Sequence, residues 1–281
     1  MIDAVAAGVP VRTRRLDGRR LASAALFIPF LYLVIRHMPP VAFFALIAVA
    51  SVLAVREFYG LYFKTSESTA ALVGMALTAG LLSSFQWPAV LPPGLMLFAS
   101  IAAVMGLRLL ARPTGGEGFS ETTVLAFGIL YVGLTMGHLL LTRALPDGVF
   151  LIFFVALVTW AGDTGAYYAG IMFGHTKLAP TVSPNKTVEG LIGGCLLAVA
   201  AAVGARYSFL PIFTAAEAAC LGVVLTLAGL AGDLSESMLK RSAGVKDSGS
   251  LIPGHGGVLD RLDSLLFTAP TYYYYMTLVK G

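Results

Sequence analysis

Residues 215–232 read A-A-E-A-A-C-L-G-V-V-L-T-L-A-G-L-A-G, and residues 233–263 continue as D-L-S-E-S-M-L-K-R-S-A-G-V-K-D-S-G-S-L-I-P-G-H-G-G-V-L-D-R-L-D. The first run is apolar and close to the ~20 residues that a helix needs to cross a bilayer. The second holds five acids, four bases and a histidine, in a chain that is 57% hydrophobic and only 12% charged. Charge kept at a membrane boundary is costly unless it is paired or used. A polar stretch between two membrane helices therefore sets both the fold class and the place to look for chemistry.

The rest of the chain repeats the apolar half of this pattern. Mean hydropathy is +0.83, whereas soluble chains carry roughly 25% charged residues. Apolar runs fall at about 21–35, 41–55, 70–86, 90–110, 122–141, 149–171, 188–205, 215–232 and 262–279. The expectation is an all-α, polytopic integral membrane protein with about nine transmembrane helices. Residues 1–120 read as a basic tail followed by hydrophobic helices, and residues 121–281 as the transmembrane domain that carries the polar site. Arg12, Arg14, Arg15, Arg19 and Arg20 precede the first run, which lacks a small-residue cleavage site after it. It reads as an uncleaved helix with a cytoplasmic N-terminus. Nine spans so oriented place 15 Lys and Arg on the cytoplasmic side and 4 outside, as the positive-inside rule expects. The implied location is the plasma (inner) membrane, with the polar stretches facing the cytoplasm. Net charge is a modest +4, and no nucleic-acid partner is expected. Cys195 and Cys220 read as small buried hydrophobes. Tyr272 to Tyr275 read as an interfacial aromatic belt.

Three polar stretches carry candidate chemistry. In W-A-G-D-T-G-A-Y-Y-A-G (160–170), Asp163 lies inside an apolar span. A carboxylate there is hydrogen-bonded between helices, ion-paired, or turned into a polar cavity. In G-H-T-K-L-A-P-T-V-S-P-N-K-T-V-E (174–189), Pro180 and Pro184 break any helix. Ser183 and Lys186, just before a helix start, suit either a phosphate or an ordinary basic loop. In the opening stretch, a helix continuing past residue 232 puts Asp233, Ser237 and Lys240 on one stripe, with Arg241 beside them. Lys246 and Asp247 follow in a loop, and P-G-H-G-G (253–257) is a turn with exposed backbone amides around His255. Asp260 and Asp263 are i, i+3 at the start of the last span. Carboxylates on one face, several cations and free amides are what phosphoryl transfer uses: oxygens for Mg²⁺, bases for phosphate.

At these residues the sequence resembles the phosphatidate cytidylyltransferase (CDP-diacylglycerol synthase) family. The family pattern is met by Ser237, Lys240, Arg241, Lys246, Asp247, Pro253, His255, Gly256, Gly257, Asp260, Arg261 and Asp263, twelve positions in 27 residues. The segments around Asp163 and Lys186 also resemble the family, with Val188 standing where an aromatic residue is usual. The resemblance covers about Gly162 to Asp263. It implies that CTP and phosphatidate give CDP-diacylglycerol and pyrophosphate with Mg²⁺, leaving a second cation open. It also implies a homodimer whose polar stretches line a cavity open to cytoplasm and lipid.

Within that expectation, Asp233 and Asp260 are the metal ligands, with Asp263 supporting or sharing. Lys240, Arg241 and Lys246 hold triphosphate or lipid phosphate. Ser183, Lys186, Ser237, Asp247, His255 and Asp163 are candidate substrate contacts, and Arg261 either joins them or pairs with a neighbouring acid. Three rivals remain in view. A secondary transporter uses intramembrane acids but gives the K-R…K-D…H-G-G set no role. A CDP-alcohol phosphotransferase needs D-x-x-D-G, whereas Ser264 follows Asp263 here. A CTP-using lipid or polyprenol kinase is nearer in chemistry.

Overall fold

The computed structural model describes residues 28–63, 69–111, 117–249 and 256–280. Helical residues 28–36 form α1. They are followed by α2 (Pro40–Tyr62), α3 (Thr69–Gln86), α4 (Pro93–Ala111), α5 (Glu117–Gly128), a π-helical segment (Ile129–Leu134) and α6 (Thr135–Ala144). Then come α7 (Gly148–Phe173), β1 (Lys177–Ala179), β2 (Ser183–Thr187), α8 (Val188–Ser208), α9 (Ala215–Ser242), α10 (Leu259–Tyr275) and a closing π-helical segment (Met276–Lys280).

Among the described residues, seven helices are long and apolar enough to cross a membrane, with α5, the π segment and α6 acting as one span from Phe119 to Ala144. The expected first span lies partly outside the described residues, as do the five arginines of the N-terminal tail. The expected last span, α10, is 17 residues long. It carries Asp260, Arg261 and Asp263 in its first turns, so its apolar part is short. The all-α expectation needs one amendment. Residues 177–187 pair as an antiparallel hairpin, Lys177 opposite Thr187 and Ala179 opposite Ser183. Pro180 lies in its turn, and Pro184 sits in a two-stranded sheet, where each strand is an edge and a missing N–H is tolerated.

Helix packing in a bilayer gains little from apolar burial, so close backbone approach has to supply it. The seam between α7 and α8 is built this way. A Cβ on Gly165 would stand 2.5 Å from the Gly193 carbonyl oxygen. The same device joins α9 to α10, where a Cβ on Gly232 would stand 2.3 Å from the Asp263 carbonyl oxygen. In the N-terminal half the filler is aromatic. Tyr59 is fully buried and donates to the Leu125 carbonyl at 3.0 Å. Two smaller expectations are corrected. Tyr272 is a core residue stacked on Phe154, because its turn of α10 faces α7. Cys220 is exposed, since it lies on an outward face of α9.

The helix ends sort into two groups. Tyr62 Oη donates to the Leu239 carbonyl at 3.1 Å, tying the end of α2 to the end of α9. At the opposite end Lys280 reaches both oxygens of Glu217, at 2.9 and 3.1 Å, and Arg206 Nε donates to Phe213 O at 2.8 Å. There α9 begins with a capping box between Thr214 and Glu217, which satisfies amides that a membrane-inserted helix start would otherwise leave bare.

Candidate active site

The charged residues collect where α7 and α9 end and α8 and α10 begin. Helix α9 runs ten residues past its apolar part, to Ser242. Asp233, Ser237 and Lys240 therefore do lie on successive turns of one helix, as the spacing predicts.

The first cluster gathers around Asp233. Lys186 reaches over from β2 and its Nζ donates to Asp233 Oδ2 at 2.6 Å. Ser237 Oγ donates to Asp233 Oδ1 at 3.4 Å. Lys186 is held there because β2 runs straight into α8. Thr187 caps that helix by accepting from the Gly190 amide at 3.1 Å. Glu189 Oε2 accepts from the amides of His175 and Thr176, both at 3.1 Å, which folds the hairpin back on the helix. Ser264 joins the other two acids. Its amide donates to Asp263 Oδ1 at 2.7 Å, and its hydroxyl to Asp163 Oδ1 at 3.3 Å. Asp163, Asp233, Asp263 and Lys186 thus lie within electrostatic reach of one another, from α7, α9, α10 and β2.

The second cluster gathers around Lys240. Its Nζ donates to Glu236 Oε2 at 2.5 Å and to Asp260 Oδ1 at 2.6 Å. The other oxygen of Asp260 accepts from the amides of Gly257 at 2.9 Å and Ser248 at 3.3 Å. Glu57, from α2, accepts through Oε2 from the Leu259 amide at 2.9 Å and from Ser248 Oγ at 3.3 Å. Asp260 and Asp263 share the start of α10 but not their partners: one faces Lys240, the other the Asp233 group. The Gly257 amide, expected to be open for a ligand, is taken by Asp260.

Most of the remaining expected residues are exposed. Arg241 is exposed and donates to the Val245 carbonyl at 3.0 Å. Lys246 and Asp247 are exposed in the loop after α9, and Arg261 is exposed on α10. Ser183 starts β2, opposite Ala179. His255 lies outside the described residues.

Sequence reading missed Glu57, Glu236, Ser248 and Ser264. Glu236 stood in the opening stretch, four residues before Lys240, and that i, i+4 spacing was its signal. Glu57 had none. Its span was expected to end at residue 55, yet α2 continues to Tyr62 and buries the carboxylate to 8% exposure.

Six carboxylates (Asp163, Asp233, Asp263, Glu57, Glu236, Asp260) face two lysines in the two clusters. Hard oxygen donors with formally excess negative charge suit a divalent cation. Among the described residues no three acids or histidines stand close enough to hold an ion between them. Mg²⁺ does not require that. It typically takes one or two protein carboxylates and fills its remaining positions with water and substrate phosphate. The donor set therefore fits Mg²⁺.

Several known proteins have sequences similar to this one. One named phosphatidate cytidylyltransferase, from Bacillus subtilis (strain 168), is 41% identical over 162 residues, covering 57% of this chain and 60% of the relative. Another of that name, from Synechocystis sp., is 47% identical over 137 residues, covering 48% of this chain and 45% of the relative. A third, from Haemophilus influenzae, is 41% identical over 166 residues, covering 57% of each. The chain spans about half the length of the curated relatives it matches. The family described as Cytidylyltransferase family matches residues 18–279, nearly the whole sequence, and the chain belongs to that family.

Proposed function

We propose that this chain is a CTP:phosphatidate cytidylyltransferase that forms CDP-diacylglycerol and pyrophosphate for phospholipid synthesis. The observation that carries the reading is the acid and lysine cluster around Asp233, built from four separate elements at one end of a membrane-helix bundle. The names borne by the similar proteins point the same way.

In this reaction a phosphate oxygen of phosphatidate attacks the α-phosphorus of CTP. A new P–O bond forms, the bond from the α-phosphorus to the β-bridging oxygen breaks, and pyrophosphate leaves with that electron pair. A phosphate monoester is already anionic near neutral pH, so no strong general base is needed. The barrier lies in bringing two anions together, and preorganised cations lower it. Lys186 is the lysine best placed to hold a phosphate oxygen, since its Nζ is only half-buried and bonds a single carboxylate. Lys240 holds Asp260 in place from below. Arg241 and Lys246, exposed on the rim, attract the triphosphate. Asp233 and Asp263, with Asp260 behind them, would hold Mg²⁺. When bound, that ion screens the phosphate charges and stabilises the leaving pyrophosphate.

The site faces the cytoplasm in this proposal. Arg56, Arg108, Lys177, Lys186, Lys240, Arg241, Lys246 and Arg261 lie towards the site end, against Arg36, Arg143, Arg206 and Lys280 at the far end. That bias among the described residues supports a cytoplasmic site; with the nine spans expected from the sequence the N-terminus is cytoplasmic as well, and the membrane of this reading is the inner membrane. The chain works as a homodimer in this reading, as the family resemblance implies.

The test is direct. Purified protein in detergent micelles, given radiolabelled CTP, phosphatidate and Mg²⁺, should yield labelled CDP-diacylglycerol in the organic extract. Label that stays in the aqueous phase would refute the activity, and label in a phosphorylated lipid without cytidine would make the protein a kinase. For topology, a cysteine at Ser250 should react with an impermeant reagent from the cytoplasmic side alone.

A further inference from the structure

Glu57 belongs to α2, far from the polar stretches in sequence, yet it binds both flanks of the connection between α9 and α10. Its Oε2 accepts from Ser248 Oγ on one flank and from the Leu259 amide, the first residue of α10, on the other. The fit is close. A Cβ on Gly257 would stand 2.4 Å from Glu57 Oε2 and 2.2 Å from Ser248 Oγ, and one on Gly249 would stand 2.8 Å from Glu57 Oε1. Oε1 itself is buried and has no hydrogen-bond partner among the described residues. A buried carboxylate with a bare oxygen is costly, so something other than its own stability keeps it there.

The neighbouring contacts show what depends on it. Ser248 and Gly257, the residues packed against Glu57, are the ones whose amides bind Asp260 Oδ2. Glu57 therefore grips the backbone that aims the Asp260 carboxylate. Its negative charge also sits at the positive end of α10, where it favours the observed helix start. Glu57 and Asp260 between them take the Leu259 and Gly257 amides.

We infer that Glu57 is a positioning residue that fixes the start of α10, and with it Asp260, in the geometry needed for turnover. The kinetic part rests on the cytidylyltransfer reading; the structural part does not. Three variants of the full-length protein in micelles test it: Glu57→Asp, which keeps the charge but is too short to span both flanks, Glu57→Gln, which keeps the reach and one acceptor oxygen, and Gly257→Ala. Hydrogen–deuterium exchange at residues 256–262 should speed up in Glu57→Asp and less in Glu57→Gln, with the α3–α4 amides unchanged. Turnover should fall in the same order, by about 10-fold or more for Glu57→Asp, as ångström-scale misplacement of a reacting constellation costs up to roughly 10²-fold. KM for CTP should stay within about 3-fold, since uniform substrate binding is untouched. Gly257→Ala should cost at least 10-fold alone and much less in a Glu57→Asp background, because the two act on one contact.

Wild-type exchange at 256–262 together with wild-type kcat in Glu57→Asp would overturn the inference. So would additive losses in the double variant. Wild-type protein that makes no CDP-diacylglycerol would refute the proposed activity and leave the exchange result to judge Glu57 alone.

Discussion

The two charged clusters sit on neighbouring turns of α9, yet their surroundings differ. Around Asp233 the ion pair with Lys186 is half-open, with side chains 28% and 26% exposed. Around Lys240 the exposures drop to 11% for the lysine, 1% for Glu236 and 13% for Asp260. Lys186 in the open cluster bonds one acid, and Lys240 in the closed cluster bonds two. Open pairs in high dielectric contribute only about 0–1 kcal/mol, so their charges are free to exchange partners with a substrate. Removing one member of a buried pair costs on the order of 3–5 kcal/mol, because the other charge stays behind uncompensated. The comparison teaches that one cluster is suited to binding and the other to holding shape.

That division breaks or sharpens under substitution. The largest effect is expected from Asp233→Asn. Turnover should fall by about 10²–10³-fold, the range for losing one preorganised electrostatic contact, with the melting temperature nearly unchanged. A melting temperature that collapses with activity would place Asp233 among the structural charges. Lys240→Gln should lose activity and stability together, since Glu236 and Asp260 are then buried without a cation. A drop in Tm of roughly 10 °C is expected for a chain of this size. If Tm does not move, the closed cluster is not closed.

Lys186→Gln should lower kcat/KM by about 10²-fold through the lost charge-assisted bond to phosphate, with little change in Tm. Equal losses of stability for Lys186→Gln and Lys240→Gln would erase the distinction between the clusters. The smallest effects are expected for Lys246→Gln and Arg241→Lys, within about 10-fold and mainly in KM, because exposed rim charges steer substrate more than they hold it. Steady-state kinetics beside a melting curve reads all of these.

Much of this was legible in advance. The stripe of Asp233, Ser237 and Lys240 follows from helical periodicity once α9 is allowed to leave the bilayer, and the structure carries α9 to Ser242. The importance of Lys186 was visible only as a cation before a helix start. Its partner was not, because no local pattern in residues 177–187 marks the hairpin that carries it across to Asp233. Asp260 and Asp263 lie at the start of α10, as their spacing predicts, but meet different partners. Asp260 meets Lys240, two turns further along α9 than Asp233, whereas Asp263 lies beside Asp233 and Asp163 where α7, α9 and α10 come together.

By itself the sequence determined the membrane class, the helix-forming runs, the uneven placement of Lys and Arg, and the stretch that holds the chemistry. These depend on local composition and on a period of 3.6 residues, which a one-dimensional reading contains. The tertiary structure decided which charges meet. Gly232 lets α9 touch the Asp263 backbone, and Glu57 meets Leu259 across 202 residues of chain. Pairing at such separation is set by which helix faces pack together, and no local pattern in the sequence specifies that.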